Sequence, residues 1–243
     1  MPTAKRPEML ALALESLSRT NEPNLDVRIF LDNIGNLEDT AYVRDTYYPE
    51  AEIFQAHAHV QTPSGMWNIL NALKQGYETG ADLVYIVEED VCVRPEFFLW
   101  HQNQEPGYLA SCGRKIPRLQ NYDQYTNSGS CFPQDKLRLV VQHIKNDLFN
   151  APRAYMDRTF GKMDEVSTLD DGLVRRIAKF YGLSVKYPET PVCSHIGFMA
   201  YNRYQGWVNK EGTIQERIQR LREMLPQVDP KGRYTGDFEP LVL

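Results

Sequence analysis

Residues 83–98, LVYIVEEDVCVRPEFF, run from an almost wholly apolar stretch directly into three successive carboxylates, Glu88, Glu89 and Asp90. An unbroken apolar run bounded by charged residues is typical of a central strand that is buried on both faces of a sheet. Three adjacent negative charges at the end of such a strand repel one another. Because hard divalent cations bind carboxylate oxygens, the segment indicates a metal site at the tip of a core strand. A solvated acidic loop is the alternative for any short acidic run.

Helix and strand patterns alternate around this segment as far as about residue 110 and become irregular afterwards. The predicted strands are 26–31, 51–54, 82–87, 107–111 and 183–187, and the predicted helices are 4–18, 65–77, 136–148, 173–181 and 211–225. Such alternation is typical of an α/β fold. Ligands of open α/β sheets collect beyond the carboxyl ends of the strands, which is where the carboxylates lie. We predict a mixed sheet flanked by helices in one domain.

The composition excludes several functional classes. With 42% hydrophobic and 24% charged residues, the 243-residue chain has the values of a globular protein, and its net charge of −5 argues against non-specific nucleic-acid binding. The stretch 112–145 is nevertheless net positive, at +4. It suits a small anionic ligand such as a diphosphate, with Arg114, Lys115 and Arg118 as candidate contacts. An ordinary solvated basic face is the alternative.

The cysteines and the apolar runs predict a cytoplasmic protein. The four cysteines are widely spaced without a C-x-x-C pair, so zinc-knuckle and redox motifs are not supported. No apolar run reaches the length of about 18 residues that a membrane span needs, and no signal-peptide core is present. We therefore expect buried, reduced cysteines and no membrane span.

The pattern V-E-E-D-V-x-V-x-P-x-F-F at 87–98 resembles the metal-site segment of the GT-A glycosyltransferases, especially of the N-acetylglucosaminyltransferase I type. That family carries an E-D-D or E-E-D version of the DXD motif, followed by a similar P-x-F-F. The resemblance implies the GT-A fold, a Rossmann-like nucleotide-diphospho-sugar transferase fold, and a Mn²⁺ or Mg²⁺ ion. It also implies that Asp90 is a direct metal ligand and that Glu88 and Glu89 contact the ribose or the donor sugar.

Other positions follow the family's order. Asp32, at the end of the second predicted element, resembles the acidic residue that contacts the nucleotide base or ribose, although a plain turn is the alternative. Gly65 and Asn71 reproduce a glycine–asparagine offset on the helix before the metal strand. His195, in P-V-C-S-H-I-G, resembles the late V-S-H-G segment, which implies a metal or diphosphate contact. A structural histidine is the alternative there.

A second acidic pair, Asp170 and Asp171, precedes a predicted helix. The family places its catalytic base in a D-D or E-D pair at a helix start. The resemblance therefore implies that Asp171 is the base, taking a proton from the acceptor hydroxyl, while Asp170 supports the acceptor or the loop. Capping of the helix by an aspartate is the alternative.

These resemblances predict a metal-dependent, inverting glycosyltransferase that uses a nucleotide-sugar, by default a UDP-sugar. Residues 1–110 form its nucleotide-sugar and metal half, 111–205 its acceptor half, and 206–243 a C-terminal helix and tail. The family has an apolar first strand before a P-T-x-x-R-P turn. This sequence begins at that turn, so the first strand is predicted to be missing or very short.

Two rival functions stay open at this point. A sugar-phosphate nucleotidyltransferase would need a glycine-rich loop near residue 1, and residues 2–7 contain no glycine. A non-catalytic nucleotide- or carbohydrate-binding module would share the fold without the reaction. The acceptor is equally open between a glycan, a protein, a small molecule and a hydroxymethylated DNA base, and only the last would make nucleic acid a partner.

Overall fold

Strands form three sheets in the computed structural model, which describes residues 1–20, 22–55, 64–114, 125–127, 129–163, 170–197 and 211–224. The first sheet is parallel, in the order β1 (Pro2–Thr3), β2 (Arg28–Leu31), β3 (Glu52–Gln55). The second is mixed, in the order β4 (Leu83–Ile86), β7 (Ser130–Pro133), β6 (Tyr108–Cys112), β8 (Ser184–Lys186). The third pairs β5 (Val91–Val93) with β9 (Cys193–His195) in antiparallel fashion.

The helices flank these sheets. They are α1 (Pro7–Ser18), α2 (Leu37–Tyr47), α3 (Ser64–Glu78), α4 (Phe97–Gln102), α5 (Gln134–Val141), α6 (Asn146–Asn150), α7 (Pro152–Phe160), α8 (Asp170–Tyr181) and α9 (Ile214–Met224). Helix α1 packs against α2, α9 and β5, while α3 packs against β4, α5 and α8. The buried side chains accordingly form two clusters, one around α1 and β5 and one around α3, α8 and the second sheet.

A backbone hydrogen bond from Glu89 N to Pro2 O, at 3.2 Å, joins the first sheet to the turn that follows β4. This bond brings the β1–α1 turn beside the carboxylates that follow β4. The first strand consists of two residues, Pro2 and Thr3.

Most predicted elements are present with ends shifted by a few residues, and the predicted α/β fold is confirmed. The helix predicted at 136–148 is wrong as a single element, because α5 ends at Val141 and α6 begins at Asn146. His143 N and Ile144 N donate to carbonyls three residues earlier, which tightens the chain into a turn. The spacing of the apolar residues does not reveal this break, because side chains on both sides of it pack into the same buried cluster.

All four cysteines are buried free thiols, as predicted. None of the helices in the described ranges combines the length and the apolar composition that a bilayer span requires. Two predictions fall outside the described residues: the candidate contacts Lys115 and Arg118, and the proposed boundary near residue 205.

Candidate functional site

The carboxylates Glu88, Glu89 and Asp90 lie in the short connection between β4 and β5. Val91 N donates to Glu88 O at 3.0 Å, so the connection is a tight turn, which we call the acidic turn (residues 88–90). Glu89 and Asp90 are each only 4% exposed. The alternative of a solvated acidic loop is therefore wrong for these two residues, because their carboxylates are buried at the tip of a core strand.

The carboxylate of Glu89 is bound by the β1–α1 turn. Its Oε2 accepts hydrogen bonds from Thr3 Oγ1 and from Ala4 N, the latter at 2.7 Å. Its Oε1 accepts a hydrogen bond from Arg6 Nε at 2.6 Å. Both oxygens are thus engaged by the chain itself, and Glu89 joins the first sheet to the acidic turn. The contact of Glu89 with a ribose or a sugar stays a prediction.

Asp90 has two unlike carboxylate oxygens. Its Oδ2 lies 2.8 Å from Arg6 Nη1. Gly197 packs against the same oxygen, so closely that a Cβ at position 197 would lie 1.9 Å from it. The other oxygen, Oδ1, is buried without a hydrogen-bond partner among the described residues. Leaving a buried carboxylate oxygen unsatisfied is costly, and a bound cation would satisfy it.

His195 reaches the acidic turn through the pairing of β9 with β5, in which His195 lies opposite Val91. Ile196 N also donates to Asp90 O at 2.8 Å. As a result, His195 Nε2 lies 3.7 Å from Asp90 Oδ1. One ligand atom each from Glu88, Asp90 and His195 lies within 4.8 Å of the other two. The structure therefore brings together the two predicted metal residues and adds Glu88 as a third.

These three side chains fit the predicted cation. Carboxylate oxygens suit Mg²⁺ and Mn²⁺, while an imidazole nitrogen is a ligand that transition metals accept more readily than Mg²⁺ does. The unsatisfied oxygen of Asp90 lies on the side of His195, where such an ion would have to be held. The donor set therefore favours Mn²⁺ over Mg²⁺.

The acidic turn carries an excess of negative charge. Burial raises the pKa of Glu88 well above its ordinary value, and the negative charges of Asp90 and then Asp170 raise it further. The positive charge of Arg6 acts in the opposite direction but is outweighed. A divalent cation at this position would stabilise the ionised form of Glu88 and reverse the shift.

A cleft of about 210 Å³ lies beside the acidic turn. It is formed by the β1–α1 turn, by the loop after β2 and by the first turns of α3. Four of the residues predicted to contact a ligand line it: Asp32, Gly65, Glu88 and Glu89. Asp32 is only 2% exposed, and its Oδ1 accepts a hydrogen bond of 3.3 Å from Ile34 N.

The asparagine that lines this cleft is Asn68 rather than the predicted Asn71. Residues three apart on a helix share a face, whereas residues six apart are separated by about 240° around the axis. Asn68 therefore shares the face of Gly65, and Asn71 does not. Asn68 Nδ2 donates to Phe30 O at 2.7 Å and to Thr3 O at 3.2 Å, so this side chain ties β1 to β2 beneath the cleft.

The second acidic pair opens α8, and its two members differ. Asp170 is 4% exposed and accepts a hydrogen bond from the side-chain amide of Asn127. Burial, and next the charge of Asp171, raise the pKa of Asp170 to about 7. Asp171 is partly exposed: its Oδ2 lies 3.3 Å from Arg175 Nη2, and its Oδ1 accepts a hydrogen bond from Gly172 N at 2.9 Å.

The charge of Asp170 also contributes to the raised pKa of Glu88 in the acidic turn. Burial raises the pKa of Tyr125 well above its ordinary value, and Asp170 and Glu88 are among the charges that raise it further. The structure therefore gives the buried position near the acidic turn to Asp170, whereas the sequence favoured Asp171 as the base.

Comparison with known proteins supports the fold. No protein-family model matches the sequence, and no curated protein matches it. Among solved structures, an active-site mutant of LgtC aligns with a TM-score of 0.53 and 13% identity, over 98% of this chain and 100% of LgtC. The glycosyltransferase GlyE of Streptococcus pneumoniae aligns with a TM-score of 0.52 and 8% identity, over 100% of this chain and 65% of GlyE.

Another structure of LgtC, described as a galactosyltransferase with donor and acceptor sugar analogs, gives a TM-score of 0.49 at 12% identity, over 98% of this chain and 100% of LgtC. At such identities the likeness concerns the fold alone. The chain has a GT-A-like glycosyltransferase fold, and the predicted fold class is confirmed.

Four residues of the site were not singled out in the sequence. Arg6, Asn127 and Gly197 contact predicted residues from other parts of the chain, and Asn68 lines the cleft. Arg6 and Gly197 stand in segments that carry the family resemblance, the P-T-x-x-R-P turn and the S-H-x-G turn, and a search of those segments for charge and for small residues would have found them. Arg114, a candidate contact for which a solvated basic face is the alternative, is only 2% exposed, so that alternative is wrong for this residue.

Proposed function

We propose that this chain is a metal-dependent glycosyltransferase that moves a sugar from a nucleotide-sugar to an acceptor hydroxyl. The observation that carries the proposal is the meeting of Glu88, Asp90 and His195 within 4.8 Å, beside a cleft that contains Asp32, on a glycosyltransferase fold. A fold alone does not define a reaction, whereas a cation site beside a cleft is suited to chemistry in which negative charge develops on a phosphate leaving group.

The donor is proposed to lie along the cleft, with the nucleoside beside Asp32 and the diphosphate at the acidic turn. A buried carboxylate such as Asp32 is suited to accept hydrogen bonds from a ribose hydroxyl or a base N–H. UDP-sugars are the first choice, because the segment 87–98 resembles the N-acetylglucosaminyltransferase I type.

Asp90 Oδ1 and His195 Nε2 are the atoms proposed to hold Mn²⁺, with Glu88 as a third ligand or as the acceptor of a hydrogen bond from a bound water. When bound, the ion supplies Lewis-acid stabilisation of the negative charge that develops on the departing diphosphate. Asp90 is kept in one rotamer by Arg6 on one side and Gly197 on the other. This rigidity places its free oxygen reproducibly toward His195.

The base is proposed to be Asp170, with Asp171 in support. A carboxylate with a pKa near 7 is better matched to proton transfer at neutral pH than one at its ordinary value. Asp171 is oriented by Arg175 and is suited to hold the acceptor. Because this base is a separate group from the metal ligands, attack on the face opposite the diphosphate, and therefore inversion, is the proposed stereochemical course.

A panel of nucleotide-sugars, assayed for hydrolysis with Mn²⁺ and with EDTA, tests the proposal. We expect the wild-type protein to release one nucleoside diphosphate in a metal-stimulated reaction, and Asp90→Asn to lower that rate by at least about 100-fold. Asp26→Asn removes an exposed carboxylate that pairs with Arg28 and is the matched control, with an unchanged rate. Absence of hydrolysis by folded wild-type protein, or an equal metal-stimulated rate in Asp90→Asn, would refute the proposed function.

A further inference from the structure

Resting on this proposed function, we infer that Arg6 is a positioning residue that restricts Asp90 to one ligating oxygen and keeps the resting affinity of the site for a divalent cation low. Arg6, which lies in the β1–α1 turn, then neutralises part of the negative charge of the acidic turn when no cation is bound. Its removal should tighten cation binding, which is the opposite of what losing a purely structural contact would do.

The guanidinium of Arg6 contacts two carboxylates of the acidic turn. Arg6 Nε lies 2.6 Å from Glu89 Oε1, and Arg6 Nη1 lies 2.8 Å from Asp90 Oδ2. One planar group therefore bridges two successive carboxylates. Such forked contacts fix orientation more strictly than the point charge of a lysine does. The side chain of Arg6 is 20% exposed, so most of this contact is shielded from water.

The contacts of Arg6 and Gly197 leave one carboxylate oxygen of Asp90 for a ligand. Arg6 and Gly197 both adjoin Oδ2 of Asp90, and the space at Gly197 leaves no room even for a methyl group. The carboxylate cannot turn to offer both oxygens to an ion without breaking the contact with Arg6. Oδ1, buried and 3.7 Å from His195 Nε2, is the oxygen left for a ligand. Asp90 is thereby limited to monodentate binding.

The positive charge of Arg6 would also repel a cation bound at Asp90. An arginine guanidinium stays protonated in proteins, and that of Arg6 is paired with both Glu89 and Asp90, so it remains positive. An ion at Oδ1 would lie within several ångströms of this charge. At about 6 Å, even with the dielectric constant of bulk water, about 80, repulsion between a unit charge and a divalent ion weakens binding by about tenfold.

Calorimetric titration with Mn²⁺, without nucleotide, tests the inference on the full chain. We expect Arg6→Met to bind Mn²⁺ about tenfold more tightly than wild type. Arg6→Gln, whose amide can still donate a hydrogen bond to one carboxylate, is expected to tighten binding in the same direction. Arg6→Lys keeps the charge and should stay within about threefold of wild type.

A surface arginine provides the matched control. Arg19 forms an exposed ion pair with Glu15 at 2.6 Å, far from the acidic turn, and Arg19→Met should leave the Mn²⁺ affinity unchanged. Thermal melting adds an independent readout. Metal-free Arg6→Met should melt below wild type, because Glu89 and Asp90 lose their partner. Its melting temperature should rise more than that of wild type when Mn²⁺ is added.

The outcomes separate this inference from the proposed function. Equal or weaker Mn²⁺ binding by folded Arg6→Met or Arg6→Gln overturns the role of Arg6. A change in Mn²⁺ affinity beyond about tenfold in Arg6→Lys also overturns it, and this variant provides the test if the neutral variants do not fold. If wild type binds no Mn²⁺, or if Asp90→Asn binds it as wild type does, the metal site itself fails. Binding lost in Asp90→Asn but not tightened without Arg6 overturns the inference alone.

Discussion

His195 Nε2 lies 3.7 Å from Asp90 Oδ1, although the two residues belong to distant parts of the sequence. The contact follows from the antiparallel pairing of β5 with β9, which sets His195 beside the residue that follows Asp90. This relationship turns an acidic turn into a cluster of mixed oxygen and nitrogen donors. The proposed metal site depends on it.

Gly197→Ala should weaken Mn²⁺ binding by at least about tenfold, because the new Cβ would force the Asp90 carboxylate out of its rotamer. Gly76→Ala is the matched control: its Cβ would lie 2.5 Å from Val84 Cγ1, a comparable clash away from the acidic turn. Both variants should lose about 1–3 kcal/mol of stability, but only Gly197→Ala should lose Mn²⁺ affinity in a titration. Equal affinities in the two variants would show that Gly197 does not position Asp90.

Asp32→Asn should weaken the binding of UDP by about tenfold or more while leaving Mn²⁺ binding unchanged, because a charged hydrogen-bond acceptor contributes about 1.5–3 kcal/mol. Calorimetry with UDP in the presence of Mn²⁺ measures the first effect, and titration with Mn²⁺ alone measures the second. Unchanged UDP affinity in the variant would remove Asp32 from the proposed nucleotide site.

Asp170→Asn should stabilise the protein at alkaline pH. The pKa of Asp170 in the folded protein is about 7, above its ordinary value of 3.8, so the folded state holds a proton that the unfolded state has released. Stability is therefore lost as pH rises from about 4 through 7, and the variant, which cannot ionise, avoids this loss.

At pH 8 urea unfolding should give a gain of about 2–4 kcal/mol for Asp170→Asn, falling to almost nothing at pH 4. Asp171→Asn, which removes the partly exposed partner of Arg175, should show no comparable gain. Parallel pH profiles for wild type and Asp170→Asn would mean that the carboxylate is not held in a raised-pKa state.

The glycosidic product should have the anomeric configuration opposite to that of the donor, because the proposed base is distinct from the metal ligands. Proton NMR of the first product formed measures the configuration before mutarotation. In the same assay Asp170→Asn should lower kcat by about 100-fold or more without changing the Mn²⁺ affinity. Retained configuration would exclude Asp170 as the base of a single displacement.

The sequence predicts the part of the site in which the interacting residues are neighbours along the chain. A buried strand followed at once by carboxylates predicts their position at a strand tip, and Glu89 and Asp90 are buried there. The sequence also indicates that so much negative charge needs compensation. It does not indicate that Arg6, far away in the chain, supplies part of it across the gap between β1 and β4.

Contacts between elements account for the remaining differences. The cleft is lined by Asn68 and not by the predicted Asn71, because Asn68 shares the helix face of Gly65. An offset taken from a family pattern does not include this helical geometry. Asp170 is the buried member of the pair that opens α8 and accepts a hydrogen bond from Asn127, which is why it is proposed as the base in place of Asp171. These are properties of the assembled sheets rather than of any one segment.

The most direct test of the cation site is anomalous diffraction at the manganese edge from crystals grown with Mn²⁺ and UDP. We expect one strong peak about 2.0–2.4 Å from Asp90 Oδ1 and from His195 Nε2, next to the diphosphate of a nucleotide whose ribose or base contacts Asp32. A bound UDP with no manganese peak at the acidic turn, or a peak held by other residues, would contradict it.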